Sequence, residues 1–104
     1  MNKWHLRKVN NKYELYHIYD DLDEEIPISV LLDILKNEYP DIIIKNVKSD
    51  IMNGIYSEDI IINNIVFTIY EELSSITFSS YSADKEKANN IIYYIGSILK
   101  ADIQ

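Results

Sequence analysis

The sequence contains no cysteine, which excludes disulfides, thiolate chemistry and cysteine-based zinc sites. It has only two glycines, Gly54 and Gly96, and neither lies in a glycine-rich loop that could cradle a phosphate group. No apolar run approaches the roughly 20 residues that a helix needs to cross a bilayer. The first nine residues lack the apolar core of a signal peptide, so we expect a cytoplasmic protein. The sequence carries no cofactor signature, so we also expect no cofactor.

Residues for catalysis or metal binding are also scarce. The two histidines, His5 and His17, fall on opposite faces of the predicted first hairpin, so they cannot share a metal ion or a proton relay. None of the nine serines lies in a Gly-x-Ser-x-Gly nucleophile elbow. The acidic run at residues 20–25 lacks the spacing of a calcium loop. We therefore predict no catalytic residue and no metal site, and we expect the protein not to be an enzyme.

The composition that remains is typical of a small folded domain rich in strands. Hydrophobic residues make up 47% of the 104 residues, and the chain carries twenty isoleucines and nine tyrosines. Isoleucine and tyrosine favour β-strands. The length fits one domain that spans residues 1–104. Ile, Asn, Lys, Tyr and Phe together supply 50 residues, a bias that indicates an AT-rich gene such as those common in mobile bacterial and phage DNA.

The first predicted element is a β-hairpin that turns at Asn10-Asn11. Asparagine tolerates the positive φ angles of a two-residue hairpin turn. That turn fixes the register, so Arg7 faces Glu14 and Trp4 faces His17. The face that carries Trp4 and His17 is the more apolar one, so it should meet the core.

The rest of the chain predicts two helices and several strands. Pro27 suits the first position of a helix and Pro40 suits a stop beyond its end. The register of residues 48–62 stays open, although Asn53-Gly54 is a strong turn signal. The predicted elements are a helix at about 27–38, strands at 41–47, 59–62 and 65–72, a turn at 73–75 followed by a strand to about residue 81, and a helix at about 83–101 capped by Ser82. Gly96 would allow close approach of this last helix to the sheet.

These elements predict an α+β fold in the order β-β-α-β-β-β-β-α. The regular spacing of the strands favours an antiparallel sheet of about five to six strands. Both helices should pack on one face of that sheet, because each has a single apolar stripe.

Charge is the most informative surface feature of the sequence. The net charge is −7, yet residues 1–19 sum to +3 and residues 20–25 carry five carboxylates and no basic residue. One interpretation is electrostatic: acidic residues just before Pro27 would stabilise the start of the helix. The other interpretation is functional. Compensation of a helix dipole needs only one or two carboxylates, and five close together repel one another, so the excess indicates another use.

The functional interpretation predicts a docking surface for a basic protein. Tyr19 and Leu22 would supply apolar anchors among the charges, and two further carboxylates at 71–72 would extend the patch. Opposed potentials speed encounter, while a few buried anchors set the lifetime of a complex. The predicted partner-binding residues are Tyr19, Asp20, Asp21, Leu22, Asp23, Glu24, Glu25, Glu71 and Glu72.

In its size, acidity, composition and α+β pattern the chain resembles the small immunity proteins of bacterial contact-dependent growth inhibition and related polymorphic toxin systems. The resemblance covers the whole chain and carries no specific motif. It implies a cytoplasmic protein that binds a cognate cationic toxin domain and occludes its active site. Many such toxins are nucleases, often acting on tRNA. The alternative is a phage-type acidic mimic of nucleic acid that inhibits a host DNA-binding protein; direct binding to nucleic acid or to membranes is not expected.

Overall fold

The computed structural model describes residues 4–18, 26–73 and 75–103. Within these residues the chain forms two helices and one mixed sheet of seven strands, in the spatial order β3-β4-β5-β6-β2-β1-β7. The elements are β1 (Trp4–Val9), β2 (Lys12–Ile18), α1 (Pro27–Glu38), β3 (Ile43–Asp50), β4 (Ile55–Ile62), β5 (Ile65–Glu72), β6 (Ser75–Ser80), α2 (Lys85–Ile98) and β7 (Asp102–Ile103). The predicted α+β class and element order are confirmed. The extra strand is β7, which adds two residues parallel to β1.

The first hairpin has the predicted turn and register. Asn10 and Asn11 have φ angles of 52° and 65°, as a two-residue turn of this kind requires. Arg7 pairs with Glu14 and Trp4 pairs with His17. The Arg7 guanidinium also forms an ion pair with the Glu14 carboxylate. Local turn chemistry therefore determines which residues of β1 and β2 face the core.

Strands β3 and β4 are where the structure differs most from the prediction. β3 runs to Asp50 rather than to residue 47, and β4 begins at Ile55 rather than at residue 59. The register of β3 shifts between Lys45 and Lys48, where Asn46 has a φ of 55°. This bulge is an extra residue on the edge strand, which period-two patterning of the sequence cannot locate.

The two helices cover one face of the sheet. Helix α1 occupies the predicted range, with Pro27 in its first turn and two buried leucines facing the core. Helix α2 starts later than predicted, because Asp84 and not Ser82 is its N-cap. The Asp84 carboxylate accepts a hydrogen bond of 3.1 Å from the backbone N–H of Lys87.

The core lies between these helices and one face of the sheet. Phe67 of β5 and Phe78 of β6 are fully buried and stack with ring centroids 5.2 Å apart. Gly96 of α2 packs against Leu15 of β2 so closely that an added Cβ would lie 3.1 Å from the leucine Cδ2. The predicted close approach of α2 to the sheet is therefore present. The opposite face of the sheet carries mostly half-exposed and exposed side chains.

Leu73 adopts a left-handed backbone conformation, at which this chain usually has asparagine. Seven non-glycine residues in the described ranges have positive φ angles, and five of them are asparagines. Leu73, directly after β5, has a φ of 52° and is mostly exposed. A left-handed conformation costs an L-residue roughly 1–2 kcal/mol, and asparagine tolerates it best after glycine. The leucine is thus a locally unfavourable choice.

Leu73→Asn is expected to raise the free energy of unfolding by about 1 kcal/mol, because asparagine relieves the left-handed strain and little buried contact is lost. Urea denaturation measures the change. The control is Leu73→Ala, which keeps a Cβ at the strained position and should stay within about 0.5 kcal/mol of the parent. An asparagine variant no more stable than the alanine variant would contradict the assignment of strain.

Candidate protein-binding surface

One end of the sheet, here called the Glu72 end, aligns residues from five strands in a single row. In this row the end of β2 pairs with the start of β6, and the start of β6 pairs with the end of β5. The end of β5 pairs with the start of β4, which pairs with the end of β3. Neighbouring strands lie ~4.8 Å apart, so Ile18 and Glu72, which flank Ser75, are about 10 Å apart. The row in order is Ile18, Ser75, Glu72, Ile55 and Asp50.

The predicted acidic patch touches the described structure only at its borders. Tyr19, Asp20, Asp21, Leu22, Asp23, Glu24 and Glu25 lie outside the described residues. Their chain neighbours are described: Ile18 ends β2 and Ile26 precedes α1, and both are exposed. Ile18, the last described residue before the acidic stretch, lies about 10 Å from Glu72. Its docking role and its helix-dipole role both stay predictions.

Glu71 and Glu72 lie on opposite faces of β5, as alternation along a strand predicts. Glu72 is exposed on the uncovered face, where its carboxylate accepts a 3.1 Å hydrogen bond from the Tyr70 hydroxyl. Glu71 is half-buried on the helix-covered face, opposite Tyr56. Glu72 is consequently the more accessible of the two predicted carboxylates.

The end of β3 adds a carboxylate that the sequence interpretation missed. Asp50 is exposed and accepts hydrogen bonds from the backbone N–H of Asn53 at 3.2 Å and from its side-chain amide at 2.7 Å. These bonds fix the carboxylate against the turn that follows. We count the charged residues among the three described residues that each of the five strands contributes to the Glu72 end. They include three acidic residues, Asp50, Glu71 and Glu72, and one basic residue, Lys48. The end is acidic even without residues 20–25.

A buried carboxyl group lies three residues further along β4 from Ile55. Glu58 of β4 is 3% exposed and faces the core. Its Oε2 accepts a 2.7 Å hydrogen bond from the Tyr56 hydroxyl, and its Oε1 has no hydrogen-bond partner among the described residues. No pattern in the sequence identified this residue, because charged residues are usually placed on the solvent side of a strand.

An exposed hydrophobic cluster also lies at the Glu72 end. We call Ile51, Met52 and Leu73 the apolar tip; they are 91%, 96% and 77% exposed. Ile51 and Met52 lie in the turn between β3 and β4, and the backbone N–H of Leu73 donates a 3.1 Å hydrogen bond to the carbonyl of Gly54 in that turn. The Asn53-Gly54 turn signal could have located the cluster, because apolar residues just before such a turn cannot reach the core.

The histidines lie as the hairpin register predicts. His17 is buried with its ring centroid 5.0 Å from that of Trp4, whereas His5 stacks on Tyr16 of the other face at 4.9 Å. Within the described ranges, no three His, Asp or Glu side chains converge closely enough to hold a metal ion. In those ranges, neither helix has the length and apolar character needed to cross a membrane.

A cavity of about 420 Å³ lies at the opposite end of the first hairpin. Its lining includes Lys12, Tyr81 and Lys85, and the Lys12 ammonium lies 6.0 Å from the centroid of the Tyr81 ring. The hydroxyl of Ser80 also lines the cavity, but it donates a 2.8 Å hydrogen bond to the carbonyl of Val66. This hydrogen bond ties the serine hydroxyl to the backbone of the neighbouring strand β5.

The chain matches no protein-family model, no curated protein and no solved structure. The geometry and charge of the described surfaces are therefore the observations that bear on function.

Tyr56→Phe is expected to lower the free energy of unfolding by about 1–3 kcal/mol, because it removes a hydrogen bond from the buried Glu58 carboxyl. Thermal or urea denaturation at neutral pH measures the loss. Tyr70→Phe is the matched control, since the Tyr70 hydroxyl bonds to the exposed Glu72 and its loss should cost less than about 0.5 kcal/mol. Equal, small losses in the two variants would mean that Glu58 does not depend on Tyr56.

The pKa of Tyr56 is raised from 10.0 to about 12. The hydrogen bond to Glu58 is the largest cause, and burial is the second. Because the folded-state pKa is raised, the protonated phenol contributes stability that is complete below pH 10 and is lost as the pH approaches 12. The difference in phenolate absorbance between the parent and Tyr56→Phe should titrate at about pH 12. Glu58→Gln should move this midpoint towards 10; a parent midpoint already near 10 would refute the contact.

Proposed function

We propose that the protein is an immunity protein that acts in the cytoplasm by binding a cognate cationic toxin domain and occluding its active site. The observation that carries the proposal is the position of Glu72. It is exposed at one end of the sheet, about 10 Å from Ile18, the last described residue before the five carboxylates of residues 20–25. The protein acts as a binding module rather than as an enzyme.

The charge of this end indicates the class of toxin. A nuclease must attract the phosphate groups of its substrate, so its active site carries positive potential. An acidic surface that meets this potential speeds association and covers the residues that would bind phosphate. We therefore propose that the toxin is a nuclease, with tRNA as one candidate substrate.

The sheet supports such a surface mechanically. Glu72 is paired with Ile55 on one side and with Ser75 on the other, so its backbone is held within the sheet. Asp50 is fixed by two hydrogen bonds from Asn53. Binding groups on connections and strand ends that a rigid scaffold positions are the usual arrangement for recognition.

The nucleic-acid mimic finds less support in the arrangement of charges. A mimic needs carboxylates spaced like phosphates along one face. On the uncovered face of the sheet, Arg7 is paired with Glu14, and Lys45 lies opposite Asp59. Alternating signs of this kind do not reproduce a polyanion.

The decisive experiment uses the protein encoded immediately upstream of this chain as the candidate toxin. Co-expression should rescue cells from that toxin, and the purified pair should bind. A triple variant of the acidic stretch should keep its fold but associate at least tenfold more slowly at low salt, because steering is lost. That variant carries Asp21→Asn, Asp23→Asn and Glu24→Gln.

The matched control removes the same amount of charge from exposed positions elsewhere. It carries Asp33→Asn, Asp41→Asn and Glu86→Gln. The control should associate within about threefold of the parent, because its changes are dispersed over separate parts of the chain and not concentrated in one stretch. Absence of both binding and rescue would refute the proposed function. Equal slowing in the two variants would refute the docking role of the acidic stretch, and displacement of bound DNA from a host protein would favour the mimic instead.

A further inference from the structure

We propose that the apolar tip is the anchor of the binding surface: Ile51, Met52 and Leu73 insert into an apolar depression at the centre of a basic partner surface. This inference rests on the proposed function, because it names the residues that hold the same partner. It differs from the sequence prediction, which assigned the anchors to Tyr19 and Leu22.

The tip is formed by two neighbouring connections that meet at Gly54. The turn at 51–54 is closed by a 3.3 Å hydrogen bond from the Gly54 N–H to the Ile51 carbonyl. Leu73 joins it through its backbone bond to Gly54, and its Cδ2 lies 3.5 Å from the position that a Cβ on Gly54 would occupy. Groups of large, mostly exposed apolar side chains are typical of interaction sites.

The backbone of Leu73 indicates that its side chain is kept for a purpose outside the fold. The chain uses asparagine at five of the seven described non-glycine positions with positive φ. At the position that projects from the Glu72 end it uses leucine, which is strained there and whose side chain remains mostly exposed. Local strain combined with lost burial is the pattern expected at functional sites.

The charges beside the tip define the chemistry of its occupant. Asp50 directly precedes Ile51, and Glu72 directly precedes Leu73, so each apolar segment is bordered by a carboxylate. Stable interfaces commonly have an apolar centre and a polar rim. The complementary surface has an apolar centre with lysine or arginine around it.

A second copy of this chain fits the tip poorly. Two copies that met at their tips would bring Asp50 and Glu72 of each against those of the other, in a protein whose net charge is −7. Extension of the sheet along β3 is hindered by the bulge between Lys45 and Lys48 and by those two lysines. The occupant is therefore a different, basic protein.

The first test uses two synthetic probes and the full chain labelled at Ile, Leu and Met methyl groups. One probe is a lysine–leucine peptide with an amphipathic helical pattern, and the other replaces each leucine by serine at the same charge. The lysine–leucine peptide should shift the methyl resonances of the apolar tip saturably and bind at least tenfold more tightly. Equal affinity for both peptides, or shifts confined to other methyl groups, would overturn the inference.

The second test compares two double variants on the same hairpin. Ile51→Ser with Met52→Ser should weaken binding of the lysine–leucine peptide at least tenfold, mainly through faster dissociation. The matched control is Ile43→Ser with Val47→Ser, which removes two apolar side chains of β3 that are 56% and 55% exposed. This control should change affinity less than threefold. Equal losses in the two doubles would overturn the inference.

Leu73→Asn separates a binding role from a structural one. The variant should unfold at a higher urea concentration and yet bind the lysine–leucine peptide at least fivefold more weakly, because it relieves strain while removing an anchor. A residue that served only the fold would not move these two measurements in opposite directions. Unchanged affinity in this variant would remove Leu73 from the proposed anchor.

The upstream-encoded protein then distinguishes failure of this inference from failure of the proposed function. If that protein binds and its affinity is unchanged by Ile51→Ser with Met52→Ser, the function stands and the anchor is overturned. If it does not bind while the peptide tests succeed, the anchor stands and the proposed function fails. A parent dimer in sedimentation experiments that the same double variant dissociates would assign the tip to self-association and overturn the inference.

Discussion

The pairing of β2 with β6 is the constraint on which the rest of the structure depends. It joins the amino-terminal hairpin to the β3–β6 meander, and it places Leu15 opposite Phe78 at the centre of the core. Helix α2 can cover this junction because Gly96 allows close approach to Leu15. The same pairing sets Ile18 opposite Ser75 and hence two strands from Glu72. The contact that closes the sheet therefore also brings the end of β2 close to Glu72.

Three departures from local sequence rules concentrate towards that end. Glu58 is a buried carboxyl group, Leu73 adopts a backbone conformation that suits asparagine, and Ile51 with Met52 is almost fully exposed. The buried carboxyl group and the left-handed leucine lower stability relative to an obvious alternative residue, and the two exposed side chains leave large apolar surface in water. Elsewhere the asparagine turns and the Asp84 cap follow the usual preferences, whereas α1 begins at Ile26 without a side-chain cap.

Short-range chemistry made much of the fold predictable from the sequence. The Asn10-Asn11 pair identified the first hairpin turn, Pro27 marked the start of α1, and alternation assigned Glu71 and Glu72 to opposite faces. The parts that could not be predicted depend on contacts remote in sequence or on small backbone adjustments: the pairing of β7 with β1, the bulge at Asn46, and the cap at Asp84 in place of Ser82. Of the candidate site, the carboxylates at 20–25 and 71–72 were visible in the sequence, whereas Asp50 and the apolar tip depended on knowing where the β3–β4 turn falls.

The almost complete exposure of Ile51 and Met52 in a turn has an evolutionary consequence. Side chains there can be exchanged without repacking the interior, so new pairing preferences can arise by a few codon changes in an unaltered scaffold. Leu73 is less free, because any replacement must also accept a left-handed backbone. Variants that recognise different partners would accordingly diversify first at the turn, with the neighbouring strand ends serving as a fixed frame.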